Sequence, residues 1–151
     1  MLNYIELYIL FFGGIVLRIK YKIKKSYRVA QLLLIFFGFI LTIIRWSNAF
    51  SSNFLVINSE ITSHISNFSL SLLAYLAIGS AWLTSGVKFR LVAILGVFMI
   101  VANFICETLM GFMNTVDIVD AIYGAVGVIL VFIYFYFLNN NGLIEINSYN
   151  Q

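Results

Sequence analysis

The chain has 151 residues, of which 62% are hydrophobic and 10% charged, and it contains no proline. A water-soluble domain of similar size carries about 25% charged residues and about half apolar ones, so a globule covered in water is excluded and lipid is the expected solvent for much of the surface. Nine basic and six acidic residues leave a formal charge of +3, and its placement along the chain carries more information than its size.

The expected fold class is all-α: a single-domain integral membrane helical bundle. A membrane helix needs about 20 mostly apolar residues, with a working range of about 17–25. Continuous apolar runs also favour helices over a barrel, whose strands would alternate and carry turn signals. The first such stretch covers about residues 2–17, although Asn3 and Glu6 interrupt its outer end. It lacks the basic residues that precede the apolar run of a cleaved signal peptide; its positive cluster follows instead.

That cluster comprises Arg18, Lys20, Lys22, Lys24, Lys25 and Arg28. Each basic residue near an anionic surface contributes about 1 kcal/mol of attraction, and the run reads as a topology determinant. Nucleic-acid binding is not expected, because the run is short and clamped between two apolar stretches.

The second span is expected over about residues 29–46 and ends near Arg45 and Trp46, an interfacial pair. A long connection, about residues 47–66, follows, rich in serine and asparagine around Phe54–Ile57. A short interfacial helix there would set Glu60 and His64 one turn apart, close enough to pair. The third span is expected over about residues 67–83, the fourth over about 91–110 and the fifth over about 118–138, leaving a polar, frayed tail from Asn139. Lys88 and Arg90 lie between the third and fourth spans. By the positive-inside rule the first and third connections are cytoplasmic, which places the amino terminus outside and the carboxyl terminus inside the cell membrane. Gly13, Gly14, Gly38, Gly79, Gly96, Gly124 and Gly127 offer places for close helix approach.

This topology brings polar residues from four stretches to the outer level: Arg45, His64, Glu107, and Asp117 with Asp120. Gly96, Asn103 and Glu107 fall at i, i+7 and i+11 on one helical stripe, and Asp120, Gly124 and Gly127 at i, i+4 and i+7 on another. Ionisable residues within a membrane face the bundle or a wet cavity, since exposure to lipid costs several kcal/mol. Each residue also has a plainer role. Asp117 is a good N-cap and Asp120 complements the helix dipole, while Arg45 can snorkel and His64 can be an ordinary loop histidine. Glu107, deep in an apolar run, is hardest to explain as structurally indifferent.

A histidine with two carboxylates can in principle support acid–base chemistry or bind a metal. No H-E-x-x-H motif, glycine-rich phosphate loop or serine elbow is present, so no cofactor or metal is expected and enzymatic activity is left open. The single cysteine, Cys106, cannot form an intramolecular disulfide and reads as a small hydrophobe.

At these residues the sequence resembles the VanZ-like membrane proteins, over about residues 60–130. Their pattern is a histidine before one span, a glutamate ending the next, two aspartates three apart, and a glycine in the last span. Here His64, Glu107, Asp117-Ile-Val-Asp120 and Gly127 supply those features. Met110 stands where the family commonly has glutamine and Gly124 where it commonly has asparagine; no arginine precedes Asp117, that loop is shorter, and there is an extra first span. The resemblance implies a bacterial inner-membrane protein of the cell envelope, from a family named for resistance to glycopeptide antibiotics. Expected partners are the lipid bilayer and an envelope or glycopeptide-like ligand. The alternative is a non-catalytic scaffold or assembly subunit whose small-residue faces pack against a partner membrane protein or a second copy. A third reading is a membrane enzyme acting on a lipid-linked substrate.

Overall fold

The computed structural model describes residues 9–11, 15–17, 19–50, 59–109 and 117–146. In chain order these form β1 (Ile9–Phe11), β2 (Ile15–Leu17), β3 (Tyr21–Ile23), α1 (Lys25–Phe50), α2 (Ser59–Thr84), α3 (Phe89–Leu109) and α4 (Ile118–Phe137). A π-helical turn (Leu138–Gly142) and β4 (Leu143–Glu145) follow. The four α-helices contain 26, 26, 21 and 20 residues. At about 1.5 Å per residue even the shortest matches a hydrocarbon core about 30 Å thick. All four are long and apolar enough to cross a membrane.

Of the expected first span, only residues 9–11 and 15–17 are described, and they form strands. β1 and β2 pair antiparallel, with Ile9 opposite Leu17 and Phe11 opposite Ile15. The aliphatic and aromatic residues of these two segments satisfy strand preferences as readily as helical ones. Three-residue strands reach about 10 Å, too short to cross.

α2 is the hub. It packs most extensively on α4, and α1 and α3 lean on this central pair. Within the candidate spans, 44% of α2 and 39% of α4 is buried, against 6% of α1 and 11% of α3. The least apolar of the four spans is therefore the most enclosed. Its polar residues point inward: Thr62, His64, Ser69, Ser71 and Ser80 are all buried. That inward polarity explains why α2 begins at Ser59 rather than near Asn67. A count of lipid-compatible residues stops where serines and threonines begin, although protein rather than lipid surrounds them. The connection between α1 and α2 is correspondingly short, from 51 to 58, and lies outside the described residues.

Leu72, Tyr75 and Leu76 of α2 form the core with Val92 of α3 and Val128, Val131 and Phe135 of α4. Tyr75 and Phe135 meet edge to face at 5.2 Å, and the Tyr75 hydroxyl donates to the Val92 carbonyl at 2.9 Å. On the other side of α2, Gly38 of α1 lies against Leu72 and Leu73. Thr42 Oγ1 sits 3.2 Å from Ser69 Oγ, and Gln31 Nε2 donates to Ser80 Oγ at 3.0 Å.

The described part of the tail, residues 139–146, is structured rather than frayed. β4 pairs antiparallel with β3, setting Tyr21 opposite Glu145. Lys24 N–H donates to the Gly142 carbonyl at 2.8 Å and Lys20 N–H to that of Thr84 at 2.8 Å. Thr84 ends α2, and the turn into α3 contains Gly86 with φ +87°, a left-handed conformation that glycine adopts without steric penalty. Lys20, Lys22, Lys24, Lys25 and Arg28 therefore share one end of the bundle with the turn carrying Lys88 and Arg90. The opposite end joins α1 to α2 and α3 to α4.

Candidate functional site

The end of the bundle opposite the basic residues gathers acidic groups around one face of α2. His64, Asn67, Ser71 and Tyr75 fall at i, i+3, i+7 and i+11, a single helical stripe. Each meets a neighbouring helix. His64 Nδ1 lies 2.8 Å from Asp120 Oδ1 of α4, and Asn67 Nδ2 donates to Glu107 Oε1 of α3 at 3.0 Å. Asn103 Nδ2 of α3 donates to Ser71 Oγ at 3.1 Å, and Tyr75 reaches Val92 as described.

Asp117 occupies the N-cap of α4, where its Oδ1 accepts from Val119 N–H at 2.9 Å. Such a cap satisfies one of the backbone donors left free at a helix start. Its second oxygen, Oδ2, lies 3.7 Å from His64 Nδ1. Asp117 is therefore both a cap and a neighbour of the imidazole. Asp120, one turn into the helix, turns inward to the same nitrogen. His64 is only 9% exposed, and the Tyr123 ring lies 5.4 Å from its own at an interplanar angle of 37°.

Close approach of the helices depends on small residues. A Cβ on Gly124 would lie 2.7 Å from the Asn103 carboxamide, and one on Gly127 would lie 2.5 Å from the Phe68 carbonyl oxygen. One on Gly96 would lie 2.7 Å from the Tyr75 hydroxyl. Asn103 thus packs across Gly124 while bonding to Ser71, tying α2, α3 and α4 together one turn below the acidic groups.

Of the residues singled out from the sequence, the structure brings His64, Asp117 and Asp120 together and sets Glu107 beside them through Asn67. The suggested pairing of His64 with Glu60 falls on a side chain outside the described residues; His64 lies inside α2, faces α4 and meets Asp120. Arg45 is not brought in. It is exposed on α1 beside exposed Trp46 and forms no ion pair among the described residues. α1 packs chiefly on α2, whereas the carboxylates are carried by α3 and α4. Asn67, Ser71, Tyr75 and Tyr123 were not anticipated, although the regular spacing of the first three with His64 was visible in the sequence.

Chemically, the arrangement offers one imidazole nitrogen and two carboxylate oxygens, all within 4.8 Å of one another. Such a group can share a proton, or hold a cation in a mixed nitrogen and oxygen donor set. No family model, characterised protein or solved structure matches this chain.

Proposed function

We propose that this chain is a multi-pass membrane protein of the VanZ-like kind, and that its acidic end binds an envelope or glycopeptide-like ligand at the outer leaflet. Segregated charge supports the orientation. Lys20 to Arg28, with Lys88 and Arg90, mark one end, and the positive-inside rule puts that end and the carboxyl terminus in the cytoplasm. The external amino terminus expected from the sequence needs a helical crossing before Arg18, a stretch of which residues 9–11 and 15–17 form strands.

The observation that carries the reading is the contact between His64 and Asp120 at 2.8 Å, one turn of α2 from the Asn67–Glu107 bond at 3.0 Å. Helix packing alone does not require three carboxylates and an imidazole at one end of an apolar bundle. Desolvating ionised groups is costly, and this expense is understandable where a polar ligand is met. Glu107 and Asp120 are assigned the principal roles, with Asp117 and His64 supporting them. In the scaffold alternative the small-residue faces of α2 and α4 would meet a partner; Gly79, Gly124 and Gly127 lie against Phe135, Asn103 and Phe68 of the same chain, which favours the ligand reading.

The test is a bacterial host in which the chain confers reduced glycopeptide susceptibility. Glu107→Gln and Asp120→Asn are each expected to abolish that phenotype while the protein accumulates normally. Undiminished resistance in both variants contradicts the reading.

A further inference from the structure

The exposed apolar faces of α1 and α3 and the basic end are accounted for by lipid and headgroups. The donor set formed by His64, Asp117 and Asp120 is not, and its chemistry is more specific than that of a general polar cluster.

We infer that His64 Nδ1, Asp117 Oδ2 and Asp120 Oδ1 form a three-ligand site for a divalent transition-metal ion of the zinc or manganese class. This rests on the reading of the acidic end as a binding site and names the ion it takes. The distances fit. Ligands about 2.0–2.2 Å from a tetrahedral zinc lie about 3.3–3.6 Å from each other. His64 Nδ1 stands 2.8 Å from Asp120 Oδ1 and 3.7 Å from Asp117 Oδ2, and the three ligand atoms lie within 4.8 Å of one another, so side-chain adjustments of about 0.5–1 Å bring them to ligand spacing.

The donors are also distinct from a pair of carboxylates at a helix start. The nitrogen comes from a different helix, on a side chain nine-tenths enclosed and flanked by Tyr123. Val119 N–H holds Asp117 through Oδ1, which orients Oδ2 towards the imidazole as a supporting hydrogen bond orients a metal ligand.

The charge count agrees. A neutral imidazole and two carboxylates sum to −2, and no lysine or arginine forms an ion pair with them among the described residues. An imidazole donor favours a transition-metal ion such as zinc over calcium or magnesium, which prefer oxygen alone, and the two carboxylates also suit manganese. Three protein ligands leave a coordination position open, through which a phosphate or carboxylate of an envelope ligand would bind.

The test uses the full chain in detergent, stripped with a chelator and titrated calorimetrically with Zn²⁺, Mn²⁺ and Mg²⁺ in turn. One Zn²⁺ or Mn²⁺ per chain is expected, with a raised unfolding midpoint and at least tenfold weaker binding of Mg²⁺. His64→Ala and Asp117→Asn should each weaken uptake at least tenfold, while Glu145→Gln at the opposite end binds as wild type. Asp117→Asn keeps a capping side chain, so its folding is preserved if His64→Ala does not fold. No uptake by the wild-type chain, or undiminished uptake by folded Asp117→Asn and His64→Ala, overturns the site. The measurement needs no phenotype. Ion uptake alongside resistance that survives both Glu107→Gln and Asp120→Asn would keep the metal site and reject the ligand reading; resistance lost without uptake would do the reverse.

Discussion

His64 and Asp120 are separated by 56 positions in sequence, yet His64 Nδ1 and Asp120 Oδ1 lie 2.8 Å apart across the interface of the two most buried helices. A contact made there couples folding to the chemistry of the site. In a double-mutant cycle, His64→Ala and Asp120→Ala should be non-additive, with a coupling energy of about 0.5–3 kcal/mol by thermal unfolding in detergent. Additive effects would mean that the two side chains do not meet.

Gly127 sets how closely α2 and α4 approach, because a Cβ there would lie 2.5 Å from the Phe68 carbonyl oxygen. That atom is backbone and cannot swing aside. Gly127→Val should destabilise the bundle by about 1–3 kcal/mol and lower the unfolding midpoint. Wild-type stability would place the interface elsewhere.

Asp117 serves α4 as well as the imidazole, and two substitutions separate the roles. Asp117→Ala should cost about 1 kcal/mol through loss of the cap, whereas Asp117→Asn should retain most of that stability. Equal stability losses in the two variants would show that capping is not what Asp117 contributes to folding.

Orientation is open to chemical labelling. In a Cys106→Ala background, Ser85→Cys lies in the turn at the basic end, and an impermeant maleimide should react with it only after the membrane is breached. Labelling in intact cells would invert the topology.

How far the sequence discloses this architecture depends on the surroundings of each segment. α1, α3 and α4 are legible to within a few residues because their apolar runs are continuous and lipid-compatible. The start of α2 is not, since Thr62, His64, Ser69 and Ser71 are polar residues buried against protein. The β1–β2 pairing is obscured by an apolar composition that suits strand and helix alike. β4 depends on β3 at the other end of the chain, a pairing that no local pattern encodes. Glu107, Asp120 and His64 stand out as ionisable groups at the edges of apolar runs. Asn67 and Ser71, small polar residues among many, gain meaning only from the helices they face.

The central claim is that the imidazole of α2 meets the carboxylates of α4 at the acidic end, and site-directed cross-linking in native membranes tests it most directly. In a Cys106→Ala background, His64→Cys is combined with Asp120→Cys or with Arg45→Cys and treated with the shortest bifunctional thiosulfonate. Efficient linkage of positions 64 and 120, with little between 64 and 45, is the predicted result. Linkage to 45 but not to 120, in protein present at wild-type levels, would contradict it.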